Sequence, residues 1–372
     1  MEAKEVEKLP EGSLSRSVNA FEIMARYGHE QLVQCYDEAT GLKALIGIHS
    51  TVLGPAMGGT RMWHYTSDEQ AVVDVLRLSR GMTYKSAISG LNVGGGKAVL
   101  IGDAKSLKNE AYLRRFGKFI NSLGGKYVTA GDVNINTRDL EYIRMETRHV
   151  TGLPETLGGG GSSSLITAYG VYMGIKAAAK QAFGSENLAG KKVAVQGVGA
   201  VGMKLLEYLS KENAKVFVSD VEEERLKAAA QEFGAQVVGQ QEIYEVDSDI
   251  YAPCALGATL NDETIPRLKC GAIAGGANNQ LAQEERHGQM LMDRGIVYAP
   301  DFLVNAGGIM AVAAEYFKEF NKPYLYEKAE RIFDRCLQVL KQAQDEKKNA
   351  QHIAMEMAER RIAQVGELKK KW

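Results

Sequence analysis

Lys192-Val-Ala-Val-Gln196, then Gly197-Val198-Gly199-Ala200-Val201-Gly202, then, past a helical stretch, Lys215-Val-Phe-Val-Ser-Asp220: this run decides the fold. It reads as a strand, a Gly-x-Gly-x-x-Gly turn, a helix, a second strand and an acid at that strand's end. Gly197 permits a tight turn, Gly199 lets backbone approach a pyrophosphate, and Gly202 lets the helix pack close to the sheet. The free N–H groups at the helix N-terminus suit phosphate. Asp220 stands where a carboxylate accepts ribose hydroxyls. A lone glycine pattern serves equally well as a structural turn; with strand, helix and acid around it, the pattern points to a dinucleotide.

Working outward, helices from Leu165 alternate with short apolar segments at Lys192–Gln196, Val216–Ser219, Asp249–Ala252, Ala272–Gly275 and Ile296–Ala299. Helices between strands imply right-handed crossovers and a parallel sheet, so a doubly wound α/β domain is expected. Upstream, the pattern predicts a helix over Ala20–Tyr27, strands over Leu32–Cys35 and Lys43–His49, and a long helix opened by the capping-box pattern Ser67-Asp-Glu-Gln70. Val72, Val75 and Leu76 give that helix an apolar face. A buried strand over Ala98–Ile101, a helix over Glu110–Leu123, a strand over Tyr127–Ala130 and a helix from a Thr137 cap to about Thr147 follow. Thr151–Ser164 is rich in Gly and Ser, with glycines at 158–161, and reads as an interdomain linker or a flexible insert. Residues 1–18 read as polar and loose, and 323–372 as charged helices packing back on the first domain. The expected organisation is a first domain over 1–150, a second over 151–322 and the helical segment 323–372.

A length of 372 residues suits roughly two domains. The net charge of −1 supplies no general attraction to nucleic acid or membrane. Cys35, Cys254, Cys270 and Cys336 are scattered with no Cys-x-x-Cys pair, and no His-Glu-x-x-His occurs, so neither a disulfide framework nor a metal site is expected. No apolar run approaches membrane-spanning length, and the start of the chain lacks the apolar core of a secretion signal, so a cytoplasmic location is expected.

A second cluster lies in Gly81-Met-Thr-Tyr-Lys85 and Leu91-Asn-Val-Gly-Gly-Gly-Lys97-Ala98. A phosphate loop is ruled out, because Ala98 stands where Ser or Thr is required. Lys97, entering an apolar strand beside three glycines, reads either as a desolvated proton carrier or as an exposed loop lysine. Asp132, at the end of a predicted strand, reads either as a partner for such a lysine or as a turn residue. Asn278, Asn279 and Asn305 follow predicted strands, where open α/β sheets bind ligands and where loop capping is the competing role.

With these segments assembled, the chain resembles the glutamate/leucine/phenylalanine/valine dehydrogenase family, and within it the leucine dehydrogenase branch. The likeness runs collinearly through Leu53-Gly-Pro-Ala-Met-Gly-Gly-Thr-Arg-Met62, Gly81–Lys85, Gly94–Lys97, Asp132, Thr167-Ala-Tyr-Gly170, Gly197–Gly202, Ala252-Pro-Cys-Ala-Leu-Gly257, Gly276-Ala-Asn-Asn-Gln-Leu281, Tyr298-Ala-Pro-Asp301 and Asn305-Ala-Gly-Gly308. The resemblance implies an N-terminal substrate domain, a C-terminal Rossmann domain holding NAD, a cleft that closes, and a homo-oligomer, octamer or dimer. It implies reversible oxidative deamination of an L-amino acid to a 2-oxo acid and ammonia. Lys85 would hold the substrate carboxylate, Lys97 would activate water, and Asp132 would carry protons to and from the amino nitrogen. Met57, Gly58, Gly59, Ala130, Asn279, Asn305, Ile309 and Val312 would contact the substrate. Thr167, Gly197, Val198, Gly199, Ala200, Val201, Gly202, Asp220, Val221, Ala255 and Asn278 would contact NAD. Met57, Ala130, Ile309 and Val312 are apolar, which disfavours a dicarboxylate. Ala130 and Val312 match an aliphatic-selective pattern; aromatic-selective relatives tend to carry Gly and Leu there, and an aromatic substrate is the alternative. The chain departs from the family at Gly131, where branched-chain members usually have Glu, at Asn134-Ile135, where Gly-Thr is common and some tryptophan-acting relatives have Asn-Ile, and at Ser163-Ser-Leu-Ile-Thr167.

Overall fold

The computed structural model describes residues 19–370, so the expectation for residues 1–18 lies outside the described span. Two compact units form. One comprises the chain up to Ser162, Ala311–Phe320 and the segment from Ala358; the other comprises Ser163–Met310 and Asn321–Met357.

The first unit is built on a mixed sheet of β1 (Gln31–Asp37), β2 (Leu42–Ser50), β3 (Ala56–Met57), β4 (Thr60–Trp63), β5 (Gly94–Ile101) and β6 (Tyr127–Val128). The order is β1-β2-β5-β3-β6, with β4 also paired to β5; β1, β2 and β5 run antiparallel and the other pairings are parallel. β5 begins at Gly94 rather than at the expected Ala98. On one face of the sheet Tyr112, Phe116 and Ile120 of the helix Glu110–Ser122 and Leu140 and Ile143 of the helix Thr137–Arg144 join a core with Ile46, Ile48 and Leu100. On the other, Ala71, Val75 and Leu76 of the helix Asp68–Ile88 pack with Leu45 and Val99.

Local details depart from expectation for identifiable reasons. Ser67 Oγ accepts the Gln70 N–H, but the Gln70 side chain accepts from Thr66 instead of closing the box on Ser67. Asn136, not Thr137, caps its helix, because Asn136 and Asp139 satisfy each other's backbone N–H groups. β6 ends at Val128, after which Thr129 bridges Val150 and Gly131 bridges Thr60. The glycine-rich segment is no free linker. The Glu315 carboxylate accepts the N–H groups of Gly152, Leu153 and Gly160 at 3.0, 3.2 and 2.8 Å, and a 3-10 turn forms at Glu155–Leu157.

The second unit holds β7 (Lys192–Gln196), β8 (Lys215–Ser219), β9 (Gln236–Val237), β10 (Ile250–Pro253), β11 (Ala272–Ile273) and β12 (Val297–Tyr298). They pair in parallel in the order β12-β11-β10-β7-β8-β9. This is the doubly wound Rossmann order, whose switch point falls between β7 and β10. β9 was not expected: it is only Gln236 and Val237, both exposed, too short for an alternating apolar pattern, and it forms by pairing with β8. The helices expected to pack back on the first domain are instead divided between the two units. Lys322–Glu346 packs on Ser164–Phe183, where a Cβ at Gly170 would lie 2.7 Å from Ile332, and so groups with the second unit. The chain from Ala358 groups with the first unit, where Tyr84 donates to Glu359 and Arg361 donates to the Leu91 carbonyl. Among the described residues no helix is long and apolar enough to cross a membrane.

Candidate active site

In the first unit β5 carries Lys97, which is only 7% exposed and is therefore not a loop lysine. Its Nζ lies 2.6 Å from Asp132 Oδ2. Arg61, from β4, places Nε 3.3 Å from the same oxygen. Burial pushes the Asp132 carboxyl up, but the Lys97 and Arg61 charges and the Val133 backbone hold it below the usual carboxylate range. Lys85 is half-buried in the last turn of the helix Asp68–Ile88.

Gly58 and Gly59 lie where chains approach too closely for any side chain. A Cβ at Gly59 would stand 2.5 Å from the Gly131 carbonyl and 3.0 Å from the Asp132 Cβ, and one at Gly58 would collide with the Gly96 carbonyl. The Tyr127 hydroxyl donates to the Gly58 carbonyl at 2.7 Å, fixing that peptide. Met57 is fully buried and Ala130 nearly so. Two departures from the family pattern acquire structural reasons. Asn134 has φ +61°, a left-handed conformation that glycine or asparagine tolerates, and Ile135 is part of the core.

In the second unit the glycine turn follows β7 as expected. Gly197 has φ +97°, and a Cβ there would strike Ala255 at 2.7 Å, so Ala255 covers the turn. A Cβ at Gly202 would collide with the Gly197 carbonyl, so the helix Ala200–Lys211 starts hard against the turn. Val201 reaches Gly276, where a Cβ would lie 3.0 Å away. Asp220 ends β8 and its Oδ2 accepts the Val198 N–H at 2.7 Å. Val221, next to it, is exposed. Asn305 Nδ2 donates to Asn278 Oδ1 at 2.8 Å, while Asn305 Oδ1 is buried with no hydrogen-bond partner among the described residues. Asn279 is exposed at φ +51°. Thr167 Oγ1 bonds the Ser163 carbonyl and would lie 3.0 Å from a Cβ at Gly308. Ile309 and Val312 share the helix Gly307–Tyr316, three positions apart; the former falls in the second unit and the latter in the first. Two sets of expected residues are thus assembled: Gly58, Gly59, Lys97 and Asp132 around β5, and the glycine turn with Asp220, Ala255, Asn278 and Asn305 at the carboxyl ends of β7, β8, β10 and the segments beyond.

The sequence reading assigned nothing to Arg61, Asp74 or Tyr127. A signal existed for Asp74: it is an acid among the buried positions Ala71, Val75 and Leu76 of one helix, and a buried carboxylate requires a buried donor or cation.

Residues 29–149 match the family model of the Glu/Leu/Phe/Val dehydrogenase dimerisation domain, and 158–222 and 218–369 match that of Glutamate/Leucine/Phenylalanine/Valine dehydrogenase. The chain is 53% identical to a leucine dehydrogenase of Thermoactinomyces intermedius, across 92% of this chain and 93% of that protein. It is 50% identical to a leucine dehydrogenase of Bacillus cereus, across 93% and 94%. The crystal structure of an L-tryptophan dehydrogenase from Nostoc punctiforme superposes with a TM-score of 0.81 at 42% identity, covering 93% of this chain and 99% of that one.

Proposed function

The chain belongs to the Glutamate/Leucine/Phenylalanine/Valine dehydrogenase family and is an amino-acid dehydrogenase, and from that premise we propose that it catalyses the NAD-dependent, reversible oxidative deamination of leucine, valine and isoleucine to 2-oxo acids and ammonia. The observation that carries this reading is the pairing of buried Lys97 with half-buried Asp132 at 2.6 Å beside Gly58 and Gly59.

The roles are those the family resemblance implies, and they fit the charge and donor type of each residue. Lys85 holds the substrate carboxylate as a point charge. Gly58 and Gly59 admit the substrate backbone. Lys97 takes the proton of the water that attacks the oxidised substrate, and Asp132 carries protons to and from the amino nitrogen. The residues of the second unit fit a dinucleotide: a left-handed glycine turn, a helix N-terminus and an acid just past the end of β8 that accepts the Val198 N–H of that turn. NAD, when bound, accepts the hydride from the substrate Cα. Thr167, Gly197–Gly202, Asp220, Val221, Ala255 and Asn278 would hold it, and the Asp220 carboxylate would disfavour a 2′-phosphate. Met57, Ala130, Ile309 and Val312, the residues assigned to the substrate side chain, are all apolar, and the higher identity to leucine dehydrogenases than to the tryptophan enzyme supports an aliphatic substrate. We propose a cytoplasmic homo-oligomer, octamer or dimer.

The test is a panel of leucine, valine, isoleucine, phenylalanine and tryptophan with NAD or NADP at alkaline pH, read by the absorbance of the reduced nicotinamide. Turnover with the branched-chain amino acids and NAD is expected. Reduction only with aromatic substrates would transfer the enzyme to the alternative class, and no reduction with any would remove the proposal.

A further inference from the structure

Arg61 links the site to a charge buried behind it. Its Nε lies 3.3 Å from Asp132 Oδ2 and its Nη1 3.2 Å from Asp74 Oδ2. Asp74 is 6% exposed and is itself held: the Tyr65 hydroxyl donates to Oδ2 at 2.6 Å, and Arg77 Nη2 lies 3.4 Å from Oδ1. The backbone on both sides of Arg61 is pinned to the segment that carries Asp132. The Thr60 N–H bonds the Ala130 carbonyl at 2.8 Å, and the Met62 N–H bonds the Val133 carbonyl at 3.0 Å. Arg61 therefore reaches Asp132 from a fixed base.

We propose that Arg61 is a positioning residue for the reaction: anchored by Asp74, it holds the Asp132 carboxylate against Lys97 and supplies the pair with a second positive charge. This rests on the roles given above to Lys97 and Asp132. Two cations on Oδ2 fix the carboxylate in one orientation. A guanidinium does not deprotonate in proteins, so Arg61 itself takes no part in proton transfer. Arg61 thus contributes charge and position while Lys97 and Asp132 exchange protons. The guanidinium reaches the two carboxylates through different nitrogens of one rigid plane, Nε to Asp132 and Nη1 to Asp74, which ties their positions together. The titratable and charged groups around this centre are Lys97 of β5, Tyr127 of β6, Asp74 and Arg77 of the helix Asp68–Ile88, and Tyr65.

The experiment compares R61Q, R61K and D74N with K97A and D132N in the full-length enzyme, by steady-state leucine oxidation across pH. In R61Q, kcat should fall about 10- to 100-fold from misplacement of Asp132, while KM for leucine stays within about 3-fold. The acid limb of kcat/KM should move up by about one pH unit, because the coupled pair binds its proton more tightly without the extra charge. R61K should restore the limb but not kcat. D74N, which keeps the charge at position 61 but loosens it, should lower kcat without raising the limb. If R61Q does not fold, R61K and D74N decide the matter, and wild-type kcat in both overturns the proposal. A folded R61Q with wild-type kcat and pH profile also overturns it. Should K97A and D132N turn over normally, the roles of those two residues fail; should they be inactive while R61Q is normal, only the inference about Arg61 fails.

Discussion

Lys97 Nζ and Asp132 Oδ2 lie 2.6 Å apart, the lysine inside a strand and the aspartate just past the end of another. Their separation along the chain means that only the stacking of β5, β3 and β6 brings them together. A buried lysine needs a counter-charge, and the general-base role proposed for Lys97 would need a partner that holds it in place; one contact meets both needs.

Replacing Lys97 by Ala should lower turnover by about 10²- to 10⁴-fold, the usual contribution of a positioned acid–base group. Cofactor binding, measured by fluorescence titration with the reduced nicotinamide, should persist. Near-normal turnover in that variant would contradict the role given to Lys97.

Acid stability follows from two depressed groups. The folded Asp132 carboxyl lies below its ordinary 3.8, so the stability it contributes is present above that value and is lost as pH falls through the lower, folded one. His49 is held down to about 4 from 6.5, first by burial and further by His29 and Arg80. The folded state therefore disfavours its protonated form, and stability falls as pH drops from 6.5 toward 4. Urea melts of D132N and H49Q should show this. D132N should be less stable than wild type at neutral pH, with the gap closing below about pH 4. H49Q should lose less stability than wild type between pH 6.5 and 4.

Gly59→Ala should disable the enzyme. The new Cβ meets the Gly131 carbonyl and the Asp132 Cβ, both on the segment that presents the Asp132 carboxylate to Lys97. Overpacking of this kind costs about 1–3 kcal/mol, and thermal melting together with kcat should both register it. An unchanged kcat would mean that the Asp132 segment yields freely.

Asp220→Ser should weaken the preference for NAD. In the proposed binding mode the carboxylate would offer a ribose a charge-assisted hydrogen bond, and Arg225, whose guanidinium lies 3.7 Å from Asp220, would be released toward a 2′-phosphate. The ratio of kcat/KM for NAD to that for NADP should fall roughly 10- to 100-fold. A constant ratio would place cofactor selection elsewhere.

Ala130→Gly with Val312→Leu should move selectivity from leucine toward phenylalanine by about tenfold or more, within the 1–3 kcal/mol that a methylene commands in such a pocket. Competition assays between the two amino acids measure it directly, and an undiminished preference for leucine would show that neither position sets it.

The Rossmann unit was legible in the sequence because each of its devices is local. Strand, glycine turn, helix and acid sit within one stretch ending at Asp220, and the positive φ at Gly197 and the closeness of Gly202 to the Gly197 carbonyl are demands that this stretch makes on itself. The apolar runs that became β7, β8 and β10 to β12 were equally readable, whereas β9 was not, because its two residues face solvent and owe their conformation to pairing with β8.

What the tertiary structure alone decided depends on contacts remote in sequence. Taken alone, the residues around Lys97 and Asp132 left two readings open for each, a proton-carrying pair or a loop lysine and a turn acid; the pairing of strands in the sheet decided for the pair, with the lysine buried. Glu315 converts a glycine-rich stretch from an apparent linker into an ordered loop by accepting three of its N–H groups. Arg61 joins Asp132 to Asp74 because long side chains from different elements meet there. Local sterics and hydrogen bonds are written along the chain, while desolvation and charge pairing arise only where folding brings distant residues into the same low-dielectric space.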